Sequence, residues 1–264
     1  MTTVKVLGAG SIGNHLSNAA RKLGWQVTIV DVDPAALVRT KERLYPERYG
    51  AWDNEIELCV ASKAPKGGFD YIFIGTPPDS HIALALDALN EKPRAILVEK
   101  PACPPGLSGA QTLWERSQSE AIPVFVGYDH VVGLASCAVE NAIASGSLGS
   151  IDTLDVDFRE HWGGIFAAHF WLSGPGDSYL GDWRRGGGAS GEHSHATNLW
   201  QHFAQIAGAG RVVEVNATMS FVRNDGLDYD KICLLTLTTE NGLIGRVAQD
   251  VVTSPPRKSG RIQG

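Results

Sequence analysis

Two short stretches of this 264-residue chain carry side chains able to move a proton or steady a developing charge. The first is VEKP, residues 98 to 101, where Glu99 and Lys100 follow an apolar run. A lysine at the carboxyl end of a buried strand points into the crevice where ligands of open α/β sheets bind, although strand ends also carry lysines that only snorkel to water. The second is GGGASGEHSHATN, residues 186 to 198, in which Glu192, His193 and His195 follow a run of glycines. Read as one helix from about 190 to 207, Leu199, Phe203 and Ile206 form an apolar stripe that extends back through His195 and Glu192. His193 lies about 100° round from Glu192, on a flank. An imidazole in the first turn of a helix has its cationic form disfavoured, which leaves a neutral ring able to accept a proton, with Glu192 placed to orient it. Two other readings compete: a histidine cap bonded to backbone, and a metal site. The second is weakened because histidines on different faces do not readily share one ion and no cysteine or aspartate nearby completes a set, so no metal is expected. His193 remains a rival to His195, while His169 and His202 read as structural or surface residues.

A nucleotide site comes earlier. GAGSIG follows the first apolar run and opens a helical stretch. Gly8 suits the tight turn, Gly10 the approach of a pyrophosphate and Gly13 close helix packing, with Ser11 and Ile12 at the helix N-terminus facing the anion. Asp31 ends the second strand, where its carboxylate would accept hydrogen bonds from both hydroxyls of an adenosine ribose and repel a 2′-phosphate. NAD rather than NADP is therefore expected. Thr76, Pro77 and Pro78 end a further strand at the ligand-binding edge, and the prolines are compatible with the start of a helix. His81, one turn into that helix, reads equally as a cofactor contact or a packing residue.

These residues need a scaffold, and the pattern supplies one. VKVLGAG, QVTIVDVD, FDYIFIGTPP, RAILVEKP and IPVFVGYD are apolar runs separated by helical stretches such as NHLSNAARKLG and SHIALALDALNEK. Strands apolar on both faces and separated by helices predict a doubly wound parallel sheet, a Rossmann-type α/β domain over residues 1–129. Beyond it, LASCAVENAIASG reads as a helix and SIDTLDVDFREHW alternates with the period of a half-buried strand. RVVEVNATMSFVRN, YDKICLLTLTTE and LIGRVAQDVVT read as strands joined by short turns, which favours a mainly antiparallel open sheet. A second, α+β domain is placed at 130–264, with the tail SPPRKSGRIQG as its only linker-like piece. Between strand and helix, residues 162 to 188 form a loop rich in glycine and tryptophan. Tyr128, His161, Trp162, Trp171, Tyr179, Trp183 and Arg184 are candidates for substrate contact there and at the last strand end, since aromatic faces and a guanidinium suit polyols and anionic groups. Packing beneath a long loop explains each tryptophan equally well.

Composition bounds the function. A net charge of −6 gives no basic footprint for nucleic acid or an anionic membrane surface. No apolar run is long enough to span a bilayer and the chain opens without a signal core, so a cytoplasmic protein is expected. Cys59, Cys103, Cys137 and Cys233 show no C-x-x-C spacing.

GAGSIG, Asp31, TPPDSH, VEKP and the glycine-rich approach to a histidine-bearing helix occur in the order found in the Gfo/Idh/MocA oxidoreductases, named for glucose-fructose oxidoreductase and inositol dehydrogenase, and the chain resembles them over nearly its whole length. The resemblance implies an NAD(P)-dependent enzyme acting on secondary alcohols of sugars, cyclitols or related polyols. It also implies a C-terminal domain whose open sheet often mediates homo-oligomers. The family lysine carries over to Lys100 and the helix histidine to His195, with His193 and Lys100 also among the substrate contacts. The chain departs from the family pattern where Gly191, not an acid, stands four residues before His195, where Asn198 replaces a later aspartate, and where GYDHVV lacks an arginine. Family members continue past a segment like RIQG, so further elements are expected beyond it. A glycosidase of the same fold that oxidises its sugar transiently, and a non-catalytic sensor of sugar or dinucleotide, are the alternatives. A sensor needs no proton relay.

Overall fold

The computed structural model describes residues 1–264, which divide into two compact units, Met1–Gly127 and Tyr128–Gly264. The division falls two residues ahead of the expected one, so Tyr128 and Asp129 belong to the second unit.

In the first unit, β1 (Thr3–Leu7), β2 (Gln26–Asp31), β3 (Ile56–Val60), β4 (Tyr71–Ile74), β5 (Ala95–Val98) and β6 (Val124–Val126) form a parallel sheet in the order β3-β2-β1-β4-β5-β6. Helices α1 (Ser11–Lys22), α2 (Pro34–Arg39), α3 (Tyr45–Tyr49), α4 (Pro78–Leu89) and α5 (Ala110–Glu120) link the strands, with a π-helical turn over Thr40–Leu44 between α2 and α3. The strand order reverses between β1 and β4, and the ligand crevice of such sheets lies at that switch point. Two apolar clusters fill the unit: Val4, Val6, Ile29 and Ile56 with Ala20 of α1, and Ile72, Ile74, Ile96 and Val98 with Ala85 and Leu89 of α4. Lys5 is the polar exception in β1. Its ammonium, nearly without exposure, donates to Glu91 at 2.7 Å and to the Pro65 carbonyl at 2.9 Å, which offsets the cost of burying the charge.

In the second unit, β7 (Thr153–Arg159), β8 (Val212–Asn224), β9 (Leu227–Thr239), β10 (Ile244–Asp250) and β11 (Arg257–Gln263) form a mixed sheet in the order β11-β7-β10-β9-β8. The β7/β10 pairing is parallel and the other three are antiparallel. Strict alternation sends Leu154, Val156 and Phe158 of β7 into the core. There they meet Leu199, Trp200 and Phe203 of α9 (His195–Ile206), and α6 (Leu134–Ala144) adds Ile143 to the same cluster. Trp200 is wholly buried and its indole donates to the Leu154 carbonyl at 2.8 Å, so the body packs while the polar edge finds a partner.

Three expectations change. The tail read as a linker is strand β11, paired antiparallel along β7 from Arg257↔Arg159 to Gln263↔Thr153. Its composition hides this: Ile262 alone packs against the core, and the pairing partner is an edge of backbone groups that any sequence can satisfy. The continuous helix over 190–207 is instead two pieces, α8 (Gly188–Glu192) and α9, separated at His193 and Ser194. The loop before them also holds a short helix, α7 (Trp162–Ala168), where the sequence shows no periodicity.

Candidate functional site

The nucleotide cradle of the first unit is built around three glycines that do different work. Gly8 has φ +102, and a Cβ there would stand 2.8 Å from the Gly75 carbonyl, so the turn leaving β1 closes against the end of β4 only with glycine. A Cβ on Gly13 would overlap the carbonyl of Gly8, which is how α1 starts so close to the turn. Around Gly10 nothing lies within 4 Å of that position, leaving the approach to the helix N-terminus open. Ser11 begins α1 and receives Arg48 Nη1 on its hydroxyl at 2.8 Å, and Ile12 is partly exposed beside it. The loop carbonyls are held from behind: the Asn14 amide donates to Gly10 O at 2.8 Å, and the Thr40 hydroxyl to Ala9 O at 2.8 Å. Asp31 is fixed in turn by two backbone donors, Ala9 N at 2.7 Å and Asp33 N at 2.8 Å. This arrangement fits a dinucleotide. Backbone N–H groups at an open helix start suit a pyrophosphate, and a carboxylate pinned at the end of β2 suits a ribose diol.

At the next strand ends, Thr76 follows β4, its hydroxyl 2.7 Å from Ser80 Oγ, and Pro77 caps α4. His81 is corrected from a cofactor contact to a brace. It has no exposed surface, and its ring nitrogens meet two main-chain carbonyls, Thr76 O at 2.7 Å and Pro101 O at 2.9 Å. Burial pushes its imidazole below the usual histidine range, against the opposite pull of those carbonyls. A neutral ring has one N–H to give, so it donates to one of these carbonyls and only packs against the other, between the loop after β4 and the one after β5, where Glu99 and Lys100 sit, both half-buried. The Glu99 carboxylate lies over Gly127 at the end of β6, in space a side chain at that position would occupy.

In the second unit the site centres on His195, the first residue of α9. Its ring is boxed by Tyr128, centroids 5.6 Å apart and edge-on at 82°, by His130 at 4.6 Å and 77°, and by Phe158 at 6.2 Å. Asp129 brings its Oδ1 to 3.6 Å from His195 Nδ1. Tyr128, Asp129 and His130 arrive together because a 3-10 turn over Asp129–Val132 follows Tyr128, and the Ser136 hydroxyl of α6 donates to the His130 carbonyl at 2.6 Å. Asp129, His130 and His195 also revise the argument against a metal, since an aspartate and a second histidine do stand beside His195. Their ligand atoms lie within 4.8 Å of one another, a spacing that a zinc ion, with bonds of about 2.1 Å, would have to draw inward.

The break between α8 and α9 decides which way the histidines face. Gln249, buried in β10, donates from Nε2 to the His193 carbonyl at 2.6 Å, and Ala196 N bonds the same oxygen at 2.9 Å, so the chain turns tightly before the helix resumes. His193, expected on a flank, is 4% exposed, whereas Glu192 ends α8 and so shares no continuous helix face with His195. The start of α8 is set by Gly188, at φ +82, where a Cβ would run into the Asp230 side chain. Asp230 in turn accepts Ser190 N at 2.8 Å and Ser190 Oγ at 3.1 Å.

Burial pushes the Asp230 carboxyl above the usual carboxylate range, although the Ser190 bonds pull it down, and the neighbouring Cys233 thiol is pushed up to about 12, first by burial and then by Asp230. A carboxyl whose folded pKa is raised contributes stability below its unfolded pKa and loses it as pH rises through the folded value. Asp230→Asn keeps an acceptor for Ser190 N and removes the titration. Thermal melts from about pH 4 to about pH 7 are expected to show the variant's melting temperature gaining on the parent's as pH rises. Parallel curves would remove Asp230 from the pH response.

The loop candidates separate. His161 caps α7, its Nδ1 accepting Gly163 N at 2.9 Å. Trp162 is corrected from substrate contact to core, being 8% exposed among Leu180, Ala189, Tyr229 and Val251. Trp171 packs edge-on with His169 at 5.2 Å, and Tyr179 begins a 3-10 turn against the same core. Arg184 stacks over Trp183 at 4.6 Å and bonds Asp228 at 2.7 Å, so its charge is already answered by a carboxylate of β9 rather than held open for an anion. Sequence reasoning missed Asp129, His130 and Gln249. An acid and a histidine directly after the last parallel strand, and a glutamine within an apolar strand, were the available signals.

With this geometry in view, the chain matches two family models: the oxidoreductase family with an NAD-binding Rossmann fold over residues 2–128, and the GFO/IDH/MocA C-terminal domain over 137–264. No curated protein sequence matches it. Among solved structures it is similar to the WlbA dehydrogenase of Bordetella pertussis in complex with NADH and UDP-GlcNAcA, with a TM-score of 0.79 at 18% identity over 100% of this chain and 71% of that one. An oxidoreductase of Agrobacterium radiobacter, in complex with NAD+, L-tartaric acid and magnesium, gives 0.77 at 21%, over 100% and 72%. A levoglucosan dehydrogenase with NADH and levoglucosan gives 0.76 at 18%, over 100% and 71%. At these identities the likeness is one of fold. No helix is long and apolar enough to cross a membrane.

Proposed function

The chain belongs to the Gfo/Idh/MocA family of NAD-binding oxidoreductases, and from that premise we propose that it oxidises, reversibly, a secondary alcohol of a sugar, cyclitol or sugar derivative. The observation that carries this reading is the imidazole of His195, boxed by rings beside a carboxylate, in a chain that also holds a dinucleotide cradle. NAD, when bound, supplies the hydride acceptor for oxidation. Asp31 would accept the adenosine ribose hydroxyls, and its negative charge disfavours a 2′-phosphate. Gly10, Ser11, Ile12 and Gly13 would present the start of α1 to the pyrophosphate. His195 would take the proton of the alcohol, and Lys100 would steady the oxygen's developing negative charge. The relatives solved with levoglucosan and with UDP-GlcNAcA support a sugar-like substrate class.

The test is a screen for NADH formation from NAD+ across free sugars, cyclitols and nucleotide sugars, run beside a panel of aryl glycosides. Stoichiometric NADH from an alcohol is the expected result. Glycoside cleavage without net NADH would replace this reading with a hydrolytic one.

A further inference from the structure

We propose that Asp129 is the proton exit of His195, an inference that rests on the proposed role of His195 as base. Removing the alcohol proton is only half of a base's task, because the ring must lose that proton before the next turnover. The His195 side chain is 13% exposed, so direct exchange with bulk water is restricted. The Asp129 side chain is 80% exposed and sets its Oδ1 3.6 Å from His195 Nδ1. That separation is longer than a hydrogen bond, and catalytic hydrogen bonds are often long before substrate is in place.

Three rings pack around His195. Phe158 carries no ionisable group, and Tyr128, a weak acid, meets the imidazole edge-on. His130 packs edge-on against Phe158 as well as His195.

The step balances without a further reactant. The alcohol O–H bond breaks as Nε2 takes the proton, with Nδ1–H already turned to the carboxylate. The imidazolium then gives its Nδ1 proton to Asp129, Asp129 gives it to water, and ring rotation or exchange with water restores the first tautomer. No electrons change hands among these groups. The departure from family spacing also acquires a physical sense: the acid missing four residues before His195 is supplied from the turn after β6.

The experiment uses the full chain and the alcohol that gives the fastest NADH formation in the screen above. Asp129→Asn is expected to lower kcat about tenfold or more, within the range of a lost proton-transfer partner, with KM and the NADH dissociation constant held. Added acetate or imidazole should restore kcat with saturation, and Asp129→Glu should retain it. A readout without substrate or cofactor is the His195 ring followed by nitrogen NMR, where Asp129→Asn should lower its titration by about 1 pH unit. An unchanged kcat and titration in Asp129→Asn overturns the proposal, as does a buffer-dependent rate that appears in His130→Gln instead. Full turnover in His195→Ala would defeat the reading of His195 as base, an outcome distinct from either.

Discussion

Replacing His195 by alanine is expected to lower kcat by about 10²- to 10⁴-fold, the range for a positioned general base, and to leave the NADH dissociation constant unchanged. The split follows from where the residue sits. His195 opens α9 in the second unit, among Tyr128, His130 and Phe158 and beside Asp129, whereas the groups that would bind the dinucleotide lie on the turn after β1 and at the end of β2. Alanine is a strong helix former at the first position of α9, so the fold should tolerate it. Stopped-flow turnover together with NADH fluorescence titration decides the matter. A variant with the parent's kcat would move the base to His193, whose 4% exposure makes it the poorer candidate for meeting substrate.

Gly13→Ala is expected to weaken NADH binding by about 100-fold or more, close to 3 kcal/mol, and to lower the melting temperature as well. The added methyl would fall on the Gly8 carbonyl group, whose carbon lies 2.9 Å from the Cβ position. Neither side can yield cheaply. Gly8 is held by its own N–H to Val30 O at 2.8 Å and by the contact with Gly75, while α1 is anchored through Asn14 to Gly10 and Thr40. Relief therefore has to come from moving the helix start away from the turn, which separates the N–H groups that an anion would need together. Isothermal titration with NADH and a thermal melt read the two consequences separately. Wild-type affinity in this variant would show that the cradle does not bind the pyrophosphate.

The parallel sheet, its order of strands and helices, and the nucleotide turn were all legible in the residues, because each depends on a local rule. Val4 and Val6, Ile29, Ile72 and Ile74 are buried strands whatever lies far away in the chain, and the glycine spacing of residues 8, 10 and 13 is a demand of backbone geometry at one turn. Misreadings came where a distant partner overrides the local pattern. Arg257–Gln263 became a strand because β7 offered an edge, and the helix about 190–207 broke because Gln249 from β10 takes the His193 carbonyl. Trp162 and Arg184 looked available to a ligand as letters, yet one fills a core with Tyr229 and the other is answered by Asp228.

The same division holds for the chemistry. Residue types and spacing point to Asp31, Lys100 and His195 as candidates, since a strand end and a helix start each leave backbone groups and a side chain facing outward in a known direction. Which acid stands beside His195 was beyond them: helical spacing favoured Glu192, and the structure places Asp129 there, from a turn remote in sequence. Periodicity fixes the face on which a side chain leaves its own element. The neighbour it meets is set by how elements pack, and that depends on the summed burial and hydrogen bonding of the whole unit rather than on any one segment.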